Sequence, residues 1–466
     1  MTLSLSGQKV LVYGLAKSGV AALRLLRQHG AQVTALDARA DDALGEVGRE
    51  VKALGATLVT GPTPPGLLAS QDLVVVSPGV PLALPEIEAA RAAGVAVWGE
   101  VELASRFLTD VPLFGITGTN GKSTTTALTG ELFLRGGKRT FVGGNLGRPF
   151  SEAAMAPGDW DALVVELSSF QLEGIRTLRP RGAAILNLTP DHLDRYATHA
   201  DYGAAKARIF QNQLAGQNPL GQNPRGTDFA VVNADDADVM GLARAAKVPV
   251  YGFTVAGRPV VDAPGLAGLA VAEEGGFRLD FLGERYRLAN RALRGAHNAQ
   301  NAMAAALLAR LGGVASDGVQ AGLDSYPGLP HRLESVRVLD GVEWVNDSKA
   351  TNVDSVLVAL RAFKGDLWLI AGGKGKGAPY APMVDEGRGK VKGVLTIGND
   401  ADALARAYAG QAPVHACGTL DAAVAKAREL ARAGDTVLLS PACASYDQFK
   451  NFEDRGDTFK RLVKAL

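Results

Sequence analysis

The stretch GITGTNGKSTTT, residues 115–126, decides how the chain reads. An apolar run, VPLFGIT (111–117), leads into a glycine turn, and a helical pattern, TALTGELFLRGG (126–137), follows it. Strand, glycine turn, GKS and helix in that order are the layout of a phosphate-binding loop. The usual pattern G-x-x-x-x-G-K-[ST] needs a glycine where Ile116 stands, and Gly115 lies one residue too early. A loop of different shape is therefore expected, not the loss of one. The N–H groups and positive dipole end at a helix start favour an anion. Gly118, Thr119, Asn120, Gly121, Lys122, Ser123 and Thr124 are the expected cradle for a nucleoside triphosphate. Lys122 can reach the β- and γ-phosphates, and the Ser123 hydroxyl can ligate Mg²⁺. The motif says that a nucleotide binds, not what it is used for.

Working outward, strands are expected at DALVVELSS (161–169), AAILNLT (183–189) and FAVVNAD (229–235). Glu166 closes the first apolar run, and Asp191, His192 and Asp194 follow the second. Ligands of parallel sheets gather at the carboxyl ends of strands, so Ser123, Glu166 and His192 can share one crevice. Mg²⁺ prefers oxygen ligands and keeps several waters, which suits such a set. A buried, hydrogen-bonded acid and a turn histidine are the plainer alternatives. HNAQNAMAAALLARLGG (297–313) reads as a buried helix that places Asn298 and Asn301 on one face. Their amides suit adenine or ribose; helix capping is the other reading. YGFTV, GFRLDFL and ERYRLA (251–290) read as an antiparallel meander, and the polar stretch 211–228, with GQNP twice, as a surface loop.

Before the glycine loop, KVLVYG (9–14), QVTALD (32–37), DLVVVSPG (72–79) and VAVWGE (95–100) read as strands, with a helix at 18–30. GLAKSG (14–19) with Asp37 downstream resembles a dinucleotide fingerprint. Ala16 stands where the middle glycine would let the backbone approach a pyrophosphate. Read alone, this region leaves a nicotinamide dinucleotide open. After the helix, strands are expected at VEWVND (342–347), LWLIAGG (367–373), GVLTIGN (393–399) and DTVLLSP (435–441).

These units give an α/β fold of three domains. A Rossmann-like N-terminal domain spans 1–106. A central, P-loop-type domain with a mostly parallel sheet spans 107–328. A C-terminal Rossmann-like domain spans 329–466. The length of 466 residues fits about three domains. A net charge of +1 gives no global field for nucleic acid or an anionic membrane. Two cysteines, Cys417 and Cys443, allow no metal cluster and fit a reduced, cytoplasmic setting. No run suits a signal peptide or a membrane span.

GTNGKST, ELSSFQLE, TPDHLDRY, HNAQNA, HRLE, NDSKATN and LSPACASYDQFKNFEDRG occur in this order over nearly the whole chain. Together they resemble the Mur ligase family of peptidoglycan synthesis. ELSSFQLE, NDSKATN and SPACASYDQFKNF most resemble its D-glutamate-adding member. The resemblance implies that ATP phosphorylates a carboxylate of UDP-N-acetylmuramoyl-L-alanine. The amine of D-glutamate then displaces the phosphate. It implies two Mg²⁺ ions, one at Ser123 and Glu166, the other at His192 and at Lys206 (in YGAAKARIF) as a carbamate. Read from the sequence alone, Lys206 is equally a surface cation.

By the same resemblance Asn301 and Arg332 lie near the nucleotide and Asp347 at the ribose. Lys349 faces the γ-phosphate, which adds it to Lys122, His192 and Lys206 as catalytic. Thr351, Lys376, Ser445 and Phe452 hold D-glutamate. The chain departs from some members by carrying Lys374 in place of an acid. The first domain takes the UDP group on Leu15, Ala16, Lys17, Asp37, Arg39, Ser77 and Gly79, and Asn145 lies near the muramoyl sugar. A monomer with small-molecule partners only, no nucleic acid and no membrane insertion, is expected.

Overall fold

The computed structural model describes residues 4–145, 147–191, 195–215, 227–259 and 265–466. Most of the expected surface loop at 211–228 lies outside the described residues. The chain divides into two compact units, residues 1–288 with 299–324 and residues 289–298 with 325–466.

The first unit holds two sheets. The N-terminal sheet is formed by β1 (Lys9–Tyr13), β2 (Gln32–Asp37), β3 (Thr57–Thr60), β4 (Leu73–Val76) and β5 (Ala96–Gly99). All pairs are parallel, in the order β3-β2-β1-β4-β5. Every residue of β4 is buried, as expected of a β-branched run covered by helices on both faces. Helix Lys17–Gln28 packs one apolar face on this sheet. A Cβ at Gly19 would fall 1.9 Å from Gly14 O, so only glycine allows that approach.

The second sheet comprises β6 (Leu113–Thr117), β7 (Thr140–Gly144), β8 (Ala162–Glu166), β9 (Gly182–Ile185), β10 (Phe229–Asn233), β11 (Val250–Thr254), β12 (Leu266–Glu273), β13 (Gly276–Leu279) and β14 (Glu284–Arg287). Their order is β14-β13-β12-β11-β10-β9-β6-β8-β7. The expected antiparallel meander is corrected here. YGFTV (β11) pairs parallel with both β10 and β12, and antiparallel pairing begins only at β12–β13. Tyr251 and Phe253 are buried like the central strands, so β11 continues the parallel core. The sequence reading passed over β12, LAGLAVAE, whose small residues and glycine weaken the strand signal.

The second unit holds β15 (Glu334–Leu339), β16 (Val342–Asn346), β17 (Leu367–Gly372), β18 (Val391–Ile397), β19 (Val414–Gly418) and β20 (Thr436–Leu439). The order is β15-β16-β20-β17-β18-β19, parallel except for β15. Both cysteines are free.

Helix Glu100–Ser105 joins the two sheets of the first unit through two buried carboxylates. Burial works against charge on Glu102, but hydrogen bonds from Arg176, Thr177 and Leu178 outweigh it and hold its pKa below the usual value. Glu100 Oε1 accepts Ser151 N–H at 2.5 Å, and its Oε2 has no hydrogen-bond partner among the described residues. Burial pushes its pKa from 4.5 to about 7. Between those values the folded chain keeps a proton that the unfolded chain releases, so stability falls as pH rises through this window. Glu100→Gln keeps the acceptor for Ser151 and removes the charge. It is expected to stabilise the protein at pH 8 by up to about 3 kcal/mol, and by much less at pH 5. Equal melting shifts at both pH values would overturn this.

Candidate active site

The phosphate loop is four residues, Gly118 to Gly121, between β6 and helix Lys122–Arg135. Ile116 is fully buried within β6, paired with Glu166 and Ala184, so the strand runs on where the common motif would already turn. The turn instead uses Gly118 (φ +151°) and Gly121 (φ +83°). A Cβ at Gly121 would lie 2.4 Å from Asn301 Oδ1. Asn187 Oδ1 accepts the N–H groups of Thr119 at 3.0 Å and Asn120 at 2.7 Å. Those two amides are committed to the loop itself, which leaves the first turn of the helix to meet an anion. No side chain caps that turn. Lys122 Nζ lies over the loop, donating to Gly118 O at 2.9 Å and Thr119 O at 2.8 Å.

Glu166 ends β8 beside this loop and is 2% exposed. Its Oε1 accepts from Asn145 Nδ2 at 2.7 Å, and its buried Oε2 has no hydrogen-bond partner among the described residues. Lys206, on helix His199–Ala207, is 1% exposed, so the reading as a surface cation is corrected. Its Nζ donates to Gly118 O at 2.9 Å and lies 4.4 Å from the centre of the Tyr202 ring. Burial first, then the charge of Lys122, lowers its pKa to about 7, against the pull of Asp191 and Glu166. Tyr202 OH pairs with Thr119 Oγ1, which ties this helix to the loop. His192 and Asp194 lie outside the described residues.

Among the described residues no three His, Cys, Asp or Glu side chains form a metal cluster. An orphaned, buried carboxylate oxygen nonetheless fits a hard cation that takes its remaining ligands from a hydroxyl, phosphate and water.

The N-terminal sheet reverses its order at β1, and a cavity of about 410 Å³ lies there, at the carboxyl ends of its strands. Leu15, Ala16, Lys17, Asp37, Arg39, Ser77 and Gly79 all line it, joined by Asn145 from the neighbouring domain. Asp37 accepts Leu15 N–H at 2.7 Å and a two-pronged contact from Arg39. Arg39's hydrogen bond outweighs burial and lowers the Asp37 pKa to about 2. Asp37 thus braces the glycine turn and Arg39 as well as facing the cavity. Ala16 starts its helix without a side-chain cap, leaving amides open for an anion.

In the second unit Asp347 follows β16 and is 1% exposed. Its oxygens accept Leu333 N–H at 3.2 Å and Ser440 Oγ at 2.8 Å. Burial raises its pKa to about 6, while Arg332 and Lys349 pull the other way. Lys349 and Thr351 share a tight turn through Thr351 N–H to Lys349 O. Ser445 is buried one residue beyond the backbone bridge between Lys374 and Ala444. Phe452, half-buried, meets the His331 ring edge-on. Lys374 and Lys376 are exposed on a glycine loop that Asp400 holds through Gly375 N–H and Tyr380 OH. Asn298 donates to Arg294 O, a contact of the capping kind left open above.

The sequence reading missed Asn187, Gln171 and Arg455. Gln171 lines the cavity and completes a capping box with Ser168, a signal present in S-x-x-Q. Asn187 carried only its place after an apolar run.

A glycine loop built for phosphate, a buried carboxylate and lysine beside it, and a nucleotide-sized cavity define a nucleotide-dependent α/β enzyme of three domains. Residues 8–99 match the Mur ligase MurD-like N-terminal domain, 116–309 the Mur ligase middle domain, and 331–443 the Mur ligase glutamate ligase domain. The UDP-N-acetylmuramoylalanine–D-glutamate ligase of Myxococcus xanthus is 84% identical over 100% of both chains. The protein of the same name from Anaeromyxobacter dehalogenans is 53% identical over 98% of each. The MurF structure from Acinetobacter baumannii shares the fold at 17% identity, covering 93% of this chain and 92% of its own, with a TM-score of 0.60. A pseudomurein peptide ligase type C from Methanothermus fervidus does so at 19% identity, covering 98% and 100%, with a TM-score of 0.57. The chain belongs to the Mur ligase family. It is thereby an ATP-dependent, amide-forming ligase. No helix among the described residues is long and apolar enough to cross a membrane.

Proposed function

We propose that the protein joins D-glutamate to UDP-N-acetylmuramoyl-L-alanine in the synthesis of a peptidoglycan precursor, forming ADP and phosphate. The observation that carries this reading is the place of Asn145. It lines the first-domain cavity and also binds Glu166 beside the phosphate loop, through both its amide side chain and its backbone N–H. A nucleotide-sugar held in that cavity has its far end directed to the phosphate loop.

In this reading the domains are 1–106, 107–328 and 329–466. The cavity residues bind the UDP group. Lys122 and the amides of the first helical turn hold the phosphates, with Asn298, Asn301, Arg332 and Asp347 on the rest of the nucleotide. Ser123 and Glu166 would hold one Mg²⁺; His192 and a carbamate on Lys206 would hold a second. When bound, ATP and Mg²⁺ supply the phosphoryl group that activates the acceptor carboxylate and the charge that neutralises it. Lys349 steadies the phosphate being transferred. Thr351, Lys376, Ser445 and Phe452 hold D-glutamate, whose amine displaces the phosphate from the activated carboxylate. The protein acts as a monomer on small molecules.

Burial of the Lys206 amine beside Gly118 O supports its carbamylation. Incubation with carbon-13 bicarbonate is expected to give a carbamate resonance that is missing in Lys206→Arg. The same spectrum from both proteins would remove Lys206 from the metal site.

The reaction is tested by phosphate release from ATP, Mg²⁺ and UDP-N-acetylmuramoyl-L-alanine with no amino acid, D-glutamate or L-glutamate. Release that requires D-glutamate supports the proposal. Release without any amino acid, or with L-glutamate alone, overturns it.

A further inference from the structure

Arg455 lies in the first turn of helix Phe452–Ala465 and is 1% exposed. Its Nε donates to Ser348 Oγ at 2.9 Å and its Nη2 to Ser348 O at 2.9 Å. Nη1 and Nη2 both reach Cys443 O at 3.1 Å. Ser348 Oγ donates onward to Phe452 O at 2.8 Å. A Cβ at Gly373 would lie 3.3 Å from Nη1 and 2.4 Å from Ala444 O, so the lysine loop packs directly on the guanidinium. Four segments therefore meet at this one side chain. They carry Lys349 with Thr351, Lys374 with Lys376, Ser445, and Phe452.

Every group that accepts from Arg455 is neutral, and among the described residues no carboxylate forms an ion pair with it. Burial lowers its pKa to about 10, which leaves it charged at neutral pH. Asp447 favours its charge without touching it. A buried cation with no carboxylate in contact is costly, and an apolar side chain could fill the same space. Two features separate arginine from such a filler. Its planar fork can grip Ser348 and Cys443 at once, and its charge favours an anion nearby.

We infer that Arg455 is a positioning residue of the amino-acid pocket. Its fork fixes the loops of Lys349, Thr351, Ser445 and Phe452, and its charge, which Asp447 attracts but does not pair with, favours a dicarboxylate among them. This rests on the D-glutamate reading above. Asp347 is held by Leu333 and Ser440 and not by Arg455, and the UDP cavity belongs to the other unit, so the effect falls on the amino acid and spares the UDP-linked substrate.

The test compares KM for all three substrates in the wild type, Arg455→Lys and Arg455→Met, with thermal melts of each. Arg455→Met is expected to raise the KM for D-glutamate about 50-fold and Arg455→Lys about fivefold, with the KM for UDP-N-acetylmuramoyl-L-alanine changed by less than about twofold. Lysine keeps the charge but not the fork, so its intermediate value is the rescue that a purely structural role would not give. If Arg455→Met fails to fold, Arg455→Lys decides alone by the same split. An unchanged KM for D-glutamate, or all three KM values rising together with a fall in melting temperature, overturns the inference. A wild type that releases phosphate without D-glutamate instead overturns the functional reading, and this inference with it.

Discussion

Lys122→Ala is expected to lower D-glutamate-dependent phosphate release by about 10³-fold or more, with the melting temperature nearly unchanged. The reason lies in how the loop distributes its donors. Thr119 and Asn120 amides are held by Asn187, so the loop has few free N–H groups for the terminal phosphates. The Lys122 ammonium, resting on Gly118 O and Thr119 O, is the mobile charge that can move onto them. Its side chain is only half-buried, so its removal leaves no large cavity. Kinetics and a thermal melt on the same sample check both halves. Turnover above about one-tenth of the wild type would sink the role of this lysine in phosphoryl transfer.

Glu166→Gln is expected to reduce turnover about 10²-fold or more and to raise the Mg²⁺ needed for half-maximal rate about tenfold. The substitution is isosteric. Its amide oxygen can still accept from Asn145, so the link between cavity and loop survives. What changes is the other oxygen, buried and without a partner among the described residues, which becomes an N–H₂ group that repels a cation. A Mg²⁺ titration of initial rates checks this. An unchanged Mg²⁺ requirement would mean that Glu166 is a buried structural acid, the alternative its sequence context left open.

Much of the framework was legible in the residues. Parallel strands such as LVVV and FAVVN are continuous apolar runs because helices cover both faces of the sheet, and their burial matches. The residues that the resemblance assigns to the UDP group line one cavity, because a doubly wound sheet brings the ends of β1, β2 and β4 to one crevice. β11 was misread because YGFTV alternates enough to pass for a meander strand, and nothing local distinguishes its parallel neighbours.

The sequence by itself determined most element types, β12 excepted, the order of the three α/β domains, the glycine turn before a helix, and which residues stand at the ends of the central strands. These follow from local rules of periodicity, φ/ψ preference and dipole direction. Only the tertiary structure decided the state of each group. It buries Lys206 against Gly118 O, leaves one oxygen of Glu166 without a donor among the described residues, commits two loop amides to Asn187, and gathers four segments on Arg455. Burial and hydrogen-bond partners depend on residues distant in the chain, and these set the charge and direction of a side chain. No local pattern around Lys206 or Arg455 contains that information.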